Sequence, residues 1–280
     1  MPVAEVSQPS GWRAKLELTF ERRGARTILA QRRHEGPLMV QRPFYPEVDG
    51  TAHLYVLHPP GGIAGGDELE VSLLLKSGAA LLTTPAATKA YRTRGARAGV
   101  RQLLTVRSGA VLEWLPQETI VFGGSRARTL TRVELEPGAR FLGWEITCLG
   151  RPASGDEFAN GELDQRVELF ENSRPLLLDR LFVEGNGAGR RAAWGFGGRS
   201  VYGCFWFTGA TPALVDELRS TVRPSAAGEL FAVTVVGGVG VGRFLGSSAE
   251  RARAVLASAW GVARRHLSDK AACAPRIWVT

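Results

Sequence analysis

Five carboxylates stand where a charge is costly. Asp67, Glu113, Glu118, Glu145 and Asp179 each lie within or beside an apolar run, and an isolated charge there must be paired, coordinated or hydrated. On an alternating strand the plain reading is an outward-facing side chain, and Glu113 is expected to be one. The other reading is that several carboxylates line a hydrated path for a divalent cation, since oxygen ligands hold such ions loosely enough to pass them on. Nucleophilic chemistry has no footing: neither a Gly-x-Ser-x-Gly elbow nor a paired-histidine metalloprotease helix is present. His34, His53, His58 and His266 form no zinc pattern, and His53 and His58, five apart, would point to opposite faces of a continuous strand.

Two glycine-rich stretches bear on the same question. In HPPGGIAGGD, His58 to Asp67, two prolines remove strand hydrogen bonds and four glycines permit angles and approaches closed to other residues. A phosphate cradle would need Gly-Lys-Ser/Thr and a following helix, whereas Asp67 leads into a strand. Two readings stay open, a crowded structural loop or a loop presenting His58 and Asp67 at a site. In FAVTVVGGVGVGRFLG, Gly238 and Gly240 match a dinucleotide fingerprint, but Arg243 occupies the third glycine position and the next helix starts only at Ser248. A mobile β-loop is expected there. Cys148, Cys204 and Cys273 are few, odd in number and widely separated, which fits a reducing compartment and thiols that are not ligands.

The elements that must position these groups are written as a repeat. VSLLLKSGAALLTTP, RQLLTVRSGAVLEWLP and TRVELEPGARFLGWE each place an apolar run on either side of a Gly-Ala turn, at Gly78, Gly109 and Gly138. Leu75, Val106 and Leu135 precede the glycines by three, Leu73, Leu104 and Val133 by five, and Leu81, Leu112 and Phe141 follow by three. That period of two marks half-buried strands. A unit recurring near thirty residues points to strand pairs stacked on one another, with unrelated hairpins of a β-sandwich as the competing architecture. LELTFERRGARTILAQRR reads as a fainter fourth copy.

Beyond the third copy, LGRPASGDEFANGELDQ reads as a polar loop, and residues 165–183 as a hairpin about Glu171 to Arg174. Two helices are expected. Thr211-Pro212 supplies a cap and a first-turn proline for a helix near 211–222. Ser247-Ser248-Ala249-Glu250 reads as a capping box for a second near 248–267, whose Leu256, Trp260, Ala263 and Leu267 share a face suited to packing on a sheet. The fold expected is therefore mainly β: a β-helix-like stack of strands and hairpins with two α-helices in the C-terminal third. Residues 1–11 form a loose lead-in and 12–280 one domain.

With 44% hydrophobic and 22% charged residues, the 280-residue chain has the make-up of an ordinary globular protein. No apolar run reaches membrane-spanning length and no apolar signal core opens the chain, so a cytoplasmic location without membrane attachment is expected. The net charge of +8 comes mostly from arginine. An acidic partner would explain it, as would a solvated arginine-rich surface. No recognition helix, zinc finger or aromatic RNA-binding motif accompanies it, which argues against nucleic acid.

Several spaced motifs also resemble those of the urease accessory protein D family (UreD, also called UreH). They are Gly36-Pro37-Leu38, Arg42-Pro43-Phe44-Tyr45-Pro46, HPPGGIAGGD, residues 83–92 (TTPAATKAYR), 113–118 (EWLPQE), Gly143-Trp144-Glu145 through LGRPASG, and Pro275-Arg276-Ile277-Trp278. They run in order from about Trp12 to Thr280. The resemblance implies a β-helical protein with two helices that is not an enzyme but a scaffold in nickel insertion. It implies binding to the urease apoprotein and to accessory protein F, and through F to the nickel-carrying GTPase accessory protein G. It implies that Ni²⁺ travels through an internal tunnel as transported ion, with no fixed cofactor. By motif, the tunnel carboxylates fall on Asp67, Glu145 and Asp179, and Thr88 lines the path. GGVGVGRFLG is more glycine-rich than the family pattern, so no role carries over to it. Two other classes stay open: a β-helical enzyme acting on polysaccharide, which would need acidic pairs in a groove, and a basic nucleic-acid-binding module.

Overall fold

The computed structural model describes residues 11–279; apart from Gly11, the expected lead-in lies outside them. The strands in chain order are β1 (Arg13–Arg23), β2 (Arg26–Glu35), β3 (Met39–Val40), β4 (Ala52–Leu57), β5 (Gly62–Ile63), β6 (Glu68–Leu75), β7 (Ala79–Thr83), β8 (Thr88–Ala90), β9 (Ala98–Val106), β10 (Val111–Trp114) and β11 (Thr119–Val121). They continue with β12 (Arg126–Leu135), β13 (Arg140–Leu149), β14 (Glu162–Glu171), β15 (Arg174–Glu184), β16 (Val201–Thr208), β17 (Leu230–Val236) and β18 (Val239–Gly246). The helices are α1 (Pro212–Thr221) and α2 (Ala249–Ser268).

The repeat is the framework. Strands β6, β9 and β12 lie side by side in parallel, each turns at a glycine, and β7, β10 and β13 lie side by side in parallel after the turn. Gly78, Gly109 and Gly138 all have positive φ, +85°, +72° and +79°, a region open to glycine at little cost. Before the turn the rungs stack as the sequence aligns them: Leu73, Leu104 and Val133 form one row, and Leu75, Val106 and Leu135 another. After it the first copy slips by one residue. Ala80, not Leu81, lies beside Leu112 and Phe141, so Leu81 faces the opposite side from its sequence counterparts. The fourth copy is half a rung. Strand β1 joins the stack in parallel beside β6, but β2 returns antiparallel instead of crossing over.

Two sheets result. The first runs β15-β14-β12-β9-β6-β1-β2 and the second β17-β18-β16-β13-β10-β7-β4-β3. The short strands β5, β8 and β11 form a parallel ladder that joins the second half of β13. One core fills the space between the sheets. A second lies on the outer face of the second sheet, beneath α1 and α2. Along β13 the faces alternate: Phe141, Gly143, Glu145 and Thr147 point between the sheets, while Leu142, Trp144, Ile146 and Cys148 join the core under the helices.

Both helices appear where their caps predict. The Thr211 hydroxyl accepts from the Leu214 amide at 3.2 Å. The N-cap of α2 is Ser248, one residue later than the expected capping box: Ser248 Oγ accepts from the Arg251 amide at 3.2 Å, so Glu250 does not occupy the reciprocal position. The buried face of α2 includes the four residues read from the sequence. The stretch before it is a regular antiparallel hairpin, β17 and β18, turning at Gly237 and Gly238.

Glu113 departs from expectation. It does point away from the inter-sheet core, but that outer face is covered. His53, Leu81, Glu113 and Leu142 form one row across β4, β7, β10 and β13, and α2 lies over it. Arg264 Nε donates to Glu113 at 3.0 Å and Trp260 Nε1 at 2.5 Å. Arg264 Nη2 also donates to both Glu47 oxygens, at 2.7 and 2.8 Å. Burial pushes the Glu113 carboxyl up, opposed by the Arg264 charge. Alternation predicted the face correctly; the helix that covers it comes from 130 residues and more along the chain, which local pattern cannot show.

A candidate cation passage between the sheets

Polar side chains interrupt the inter-sheet core along one row on each sheet. On the first sheet, register places Val71, Gln102, Thr131, Val167 and Asp179 side by side. On the second, Glu145, Cys204 and Arg243 are neighbours on β13, β16 and β18. The rows meet face to face. Thr131 Oγ1 donates to Glu145 Oε1, and Gln165 Nε2 donates to Glu145 Oε2 at 2.5 Å. Gln165 is held in turn by the Thr147 hydroxyl at 2.7 Å. Further along, Asp179 Oδ2 accepts from Arg243 Nη2 at 2.8 Å and lies 3.9 Å from Cys204 Sγ. Arg243 is exposed, so this polar seam runs from the interior to the surface.

At the inner end of the seam lies a cavity of about 130 Å³. Its wall includes Glu145, Thr88, His58, Gln102, Gln165 and Trp114. Three buried polar atoms without a protein partner belong to wall residues: His58 Nδ1, Trp114 Nε1 and Thr129 Oγ1. These atoms have almost no accessible surface; it is the cavity itself, about 130 Å³ lined by a carboxylate, glutamines and threonines, that is roomy and polar enough to hold ordered water. Burial raises the Glu145 carboxyl to about 7, against the Thr131 and Gln165 hydrogen bonds and with the Asp179 charge adding to the rise. Near neutral pH it thus exchanges between the protonated and the charged form. Burial pushes the His58 imidazole below its usual value, opposed by the Asp67 charge.

The four residues named by motif are not gathered together. Thr88 and Glu145 line the cavity. Asp179 stands on the seam beyond Cys204, close enough for its charge to act on Glu145. Asp67 is outside both; its carboxylate accepts from the Trp12 amide at 2.8 Å and the Ala64 amide at 2.7 Å, which ties the glycine-rich loop to the start of β1. Of the two readings of that loop, Asp67 serves the structural one and His58 reaches the cavity. A different ligand set, Glu47, His53 and Cys273, has its donor atoms within 4.8 Å of one another. Arg264 Nη2 already donates to both Glu47 oxygens, so that carboxylate is engaged in an ion pair.

Comparison with known proteins settles the kinship. A family model described as "UreD urease accessory protein" matches residues 13–279. The chain belongs to the UreD urease accessory protein family. Proteins named urease accessory protein UreD from Alkalilimnicola ehrlichii and Alcanivorax borkumensis are 44% and 42% identical to it, each over 96% of this chain and 92% and 93% of their own. The Klebsiella aerogenes protein of that name is 42% identical over 96% of this chain and 97% of its own. Family membership gives the chain an accessory part in urease maturation. Among the described residues no helix is long and apolar enough to cross a membrane.

Sequence reading missed Gln102, Thr131 and Gln165, although a signal for them exists. Gln102 is in phase with Leu104 and Val106, Thr131 with Val133 and Leu135, and Gln165 with Val167 and Leu169. A polar side chain in the inward phase of an alternating strand marks a wet interior before any coordinate is known.

Proposed function

We propose that this protein is a non-catalytic scaffold of urease maturation that passes Ni²⁺ through the inter-sheet cavity toward the urease apoprotein. The observation that carries the reading is Glu145: a titrating carboxylate on the wall of a wet cavity, at the head of a polar seam that reaches the surface. A carboxylate among amide and hydroxyl side chains offers weak, exchangeable ligation and not a tight cage, which suits an ion in transit. Ni²⁺ is then cargo, and the protein keeps no fixed cofactor. The partners are the urease apoprotein and accessory protein F, with the GTPase accessory protein G reached through F. A polysaccharide-cleaving enzyme is disfavoured by the wall itself, where Glu145 is the single carboxylate among the described lining residues; glycoside hydrolysis takes a pair.

The reading is tested by co-expression with urease and its accessory proteins, comparing wild type with Glu145→Gln and Glu145→Leu. Urease activity in both variants should fall by about tenfold or more while the variant still copurifies with its partners. Activation at the wild-type level with Glu145→Leu, in a complex of normal composition, overturns it.

A further inference from the structure

We infer that His58 is the residue that makes the cavity prefer a borderline transition-metal cation over Mg²⁺; the inference rests on the cavity being the ion's route. Among the described lining residues His58 is the single imidazole, and the other side-chain ligand atoms, from Glu145 and from glutamines and threonines such as Gln102, Gln165 and Thr88, are oxygens. Oxygen donors alone suit Mg²⁺, Ca²⁺ and Mn²⁺, whereas imidazole suits Ni²⁺, Zn²⁺ and Cu²⁺. A wall without His58 has little chemistry with which to refuse hard ions.

The imidazole is built into place. His58 directly follows β4 and is locked by the exposed Pro59-Pro60 turn, whose φ angles are fixed. The turn closes through the Gly61 amide, which donates to the His58 carbonyl at 2.7 Å. Gly62 lets the chain press against its neighbours, for a Cβ there would lie 2.4 Å from the Tyr91 ring. Nδ1 is buried and has no protein partner, while the ring borders the cavity. A metal-binding histidine usually engages its second nitrogen elsewhere; here no side-chain hydrogen bond holds the ring, Nδ1 is sealed within the protein, and the ring edge on the cavity side is the one a cation could reach. The other three histidines are unsuited: His53 is bound to Glu47 at 2.7 Å, His266 to Glu217 at 2.6 Å, and His34 lies exposed on β2.

The full chain is to be titrated with Ni²⁺ and, separately, Mg²⁺ by calorimetry, as wild type, His58→Asn and Glu145→Gln. Loss of His58 should weaken Ni²⁺ binding on the order of tenfold or more and leave Mg²⁺ binding within about twofold, whereas Glu145→Gln should weaken both. Wild-type imidazole resonances supply a readout free of folding defects: substoichiometric paramagnetic Ni²⁺ should broaden the His58 ring signals. Broadening confined to His34 and His266, or equal losses of Ni²⁺ and Mg²⁺ affinity in His58→Asn, overturns the inference. Should Ni²⁺ binding depend on His58 while Glu145→Leu still activates urease normally, the ligand assignment stands and the passage reading fails.

Discussion

At the scale of single residues, Glu145 carries two opposed requirements, and they make its pH behaviour informative. Its pKa is about 7 in the folded chain against an ordinary 4.5, so between those values the native state holds more protons than the unfolded one. Stability from this group is therefore present in acid and is lost as pH rises from about 4.5 to about 7, a swing on the order of 3 kcal/mol. The Glu145→Gln protein should lack that swing, and its advantage over wild type in urea denaturation should grow across the interval and level off above it. A difference independent of pH would place the carboxyl in water. Protons also compete with a cation for the same oxygens, so transfer should weaken in the same acid range. The hydroxyl of Thr131 fits this picture: with one proton it faces both Gln102 Oε1, at 3.0 Å, and Glu145, and a protonated Glu145 relieves the conflict by donating.

At the scale of elements, the glycine turns hold the rungs in register, and they do not all tolerate change alike. Gly109 has nothing within reach of an added Cβ, whereas at Gly78 a Cβ would lie 2.2 Å from Thr27 Oγ1, the atom that accepts from the Ala79 amide at 3.0 Å. Gly109→Ala should cost about 1–2 kcal/mol for its left-handed backbone alone. Gly78→Ala should cost clearly more, as read by urea denaturation. The same elements show what local pattern conveys. Strand phase, the α1 cap, the α2 start to within one residue and the order of the rungs were legible, because they depend on neighbours two to four residues apart. The slip that sets Leu81 beside Glu113 was not, because it arises from how β4, β7 and β10 stack. For the site, the motif residues Thr88 and Glu145 meet at one cavity. Asp67 and Asp179 are separated from it by loop ties and by Cys204, contacts formed only between distant segments.

At the scale of the whole molecule, the positive charge is spread in ion-pair ladders. On the outer face of the first sheet Asp164 receives Arg180 at 2.7 Å and Arg166 at 3.0 Å, and Glu70 receives Arg101 at 3.0 Å. These arginines are thus paired with carboxylates on their own or neighbouring strands, and the net +8 resides in the other cations. The outermost strands tell another story. Leu178 and Phe182 on β15 are 66% and 47% exposed, and Leu230, Val235 and Val236 on β17 are exposed as well. Apolar edges of this kind await a partner or invite self-association. Leu178→Lys with Phe182→Lys should raise the concentration at which the isolated protein elutes as one species from a sizing column. No gain in solubility would clear that edge of blame. Strand β13 also imposes a constraint on how this chain can vary. It presents Glu145 to one compartment and Trp144 and Ile146 to the other, so the count of residues from Gly138 onward works like a reading frame. One insertion there would turn an indole inward into the cavity and leave a carboxylate stranded beneath the helices, two injuries from a single added residue.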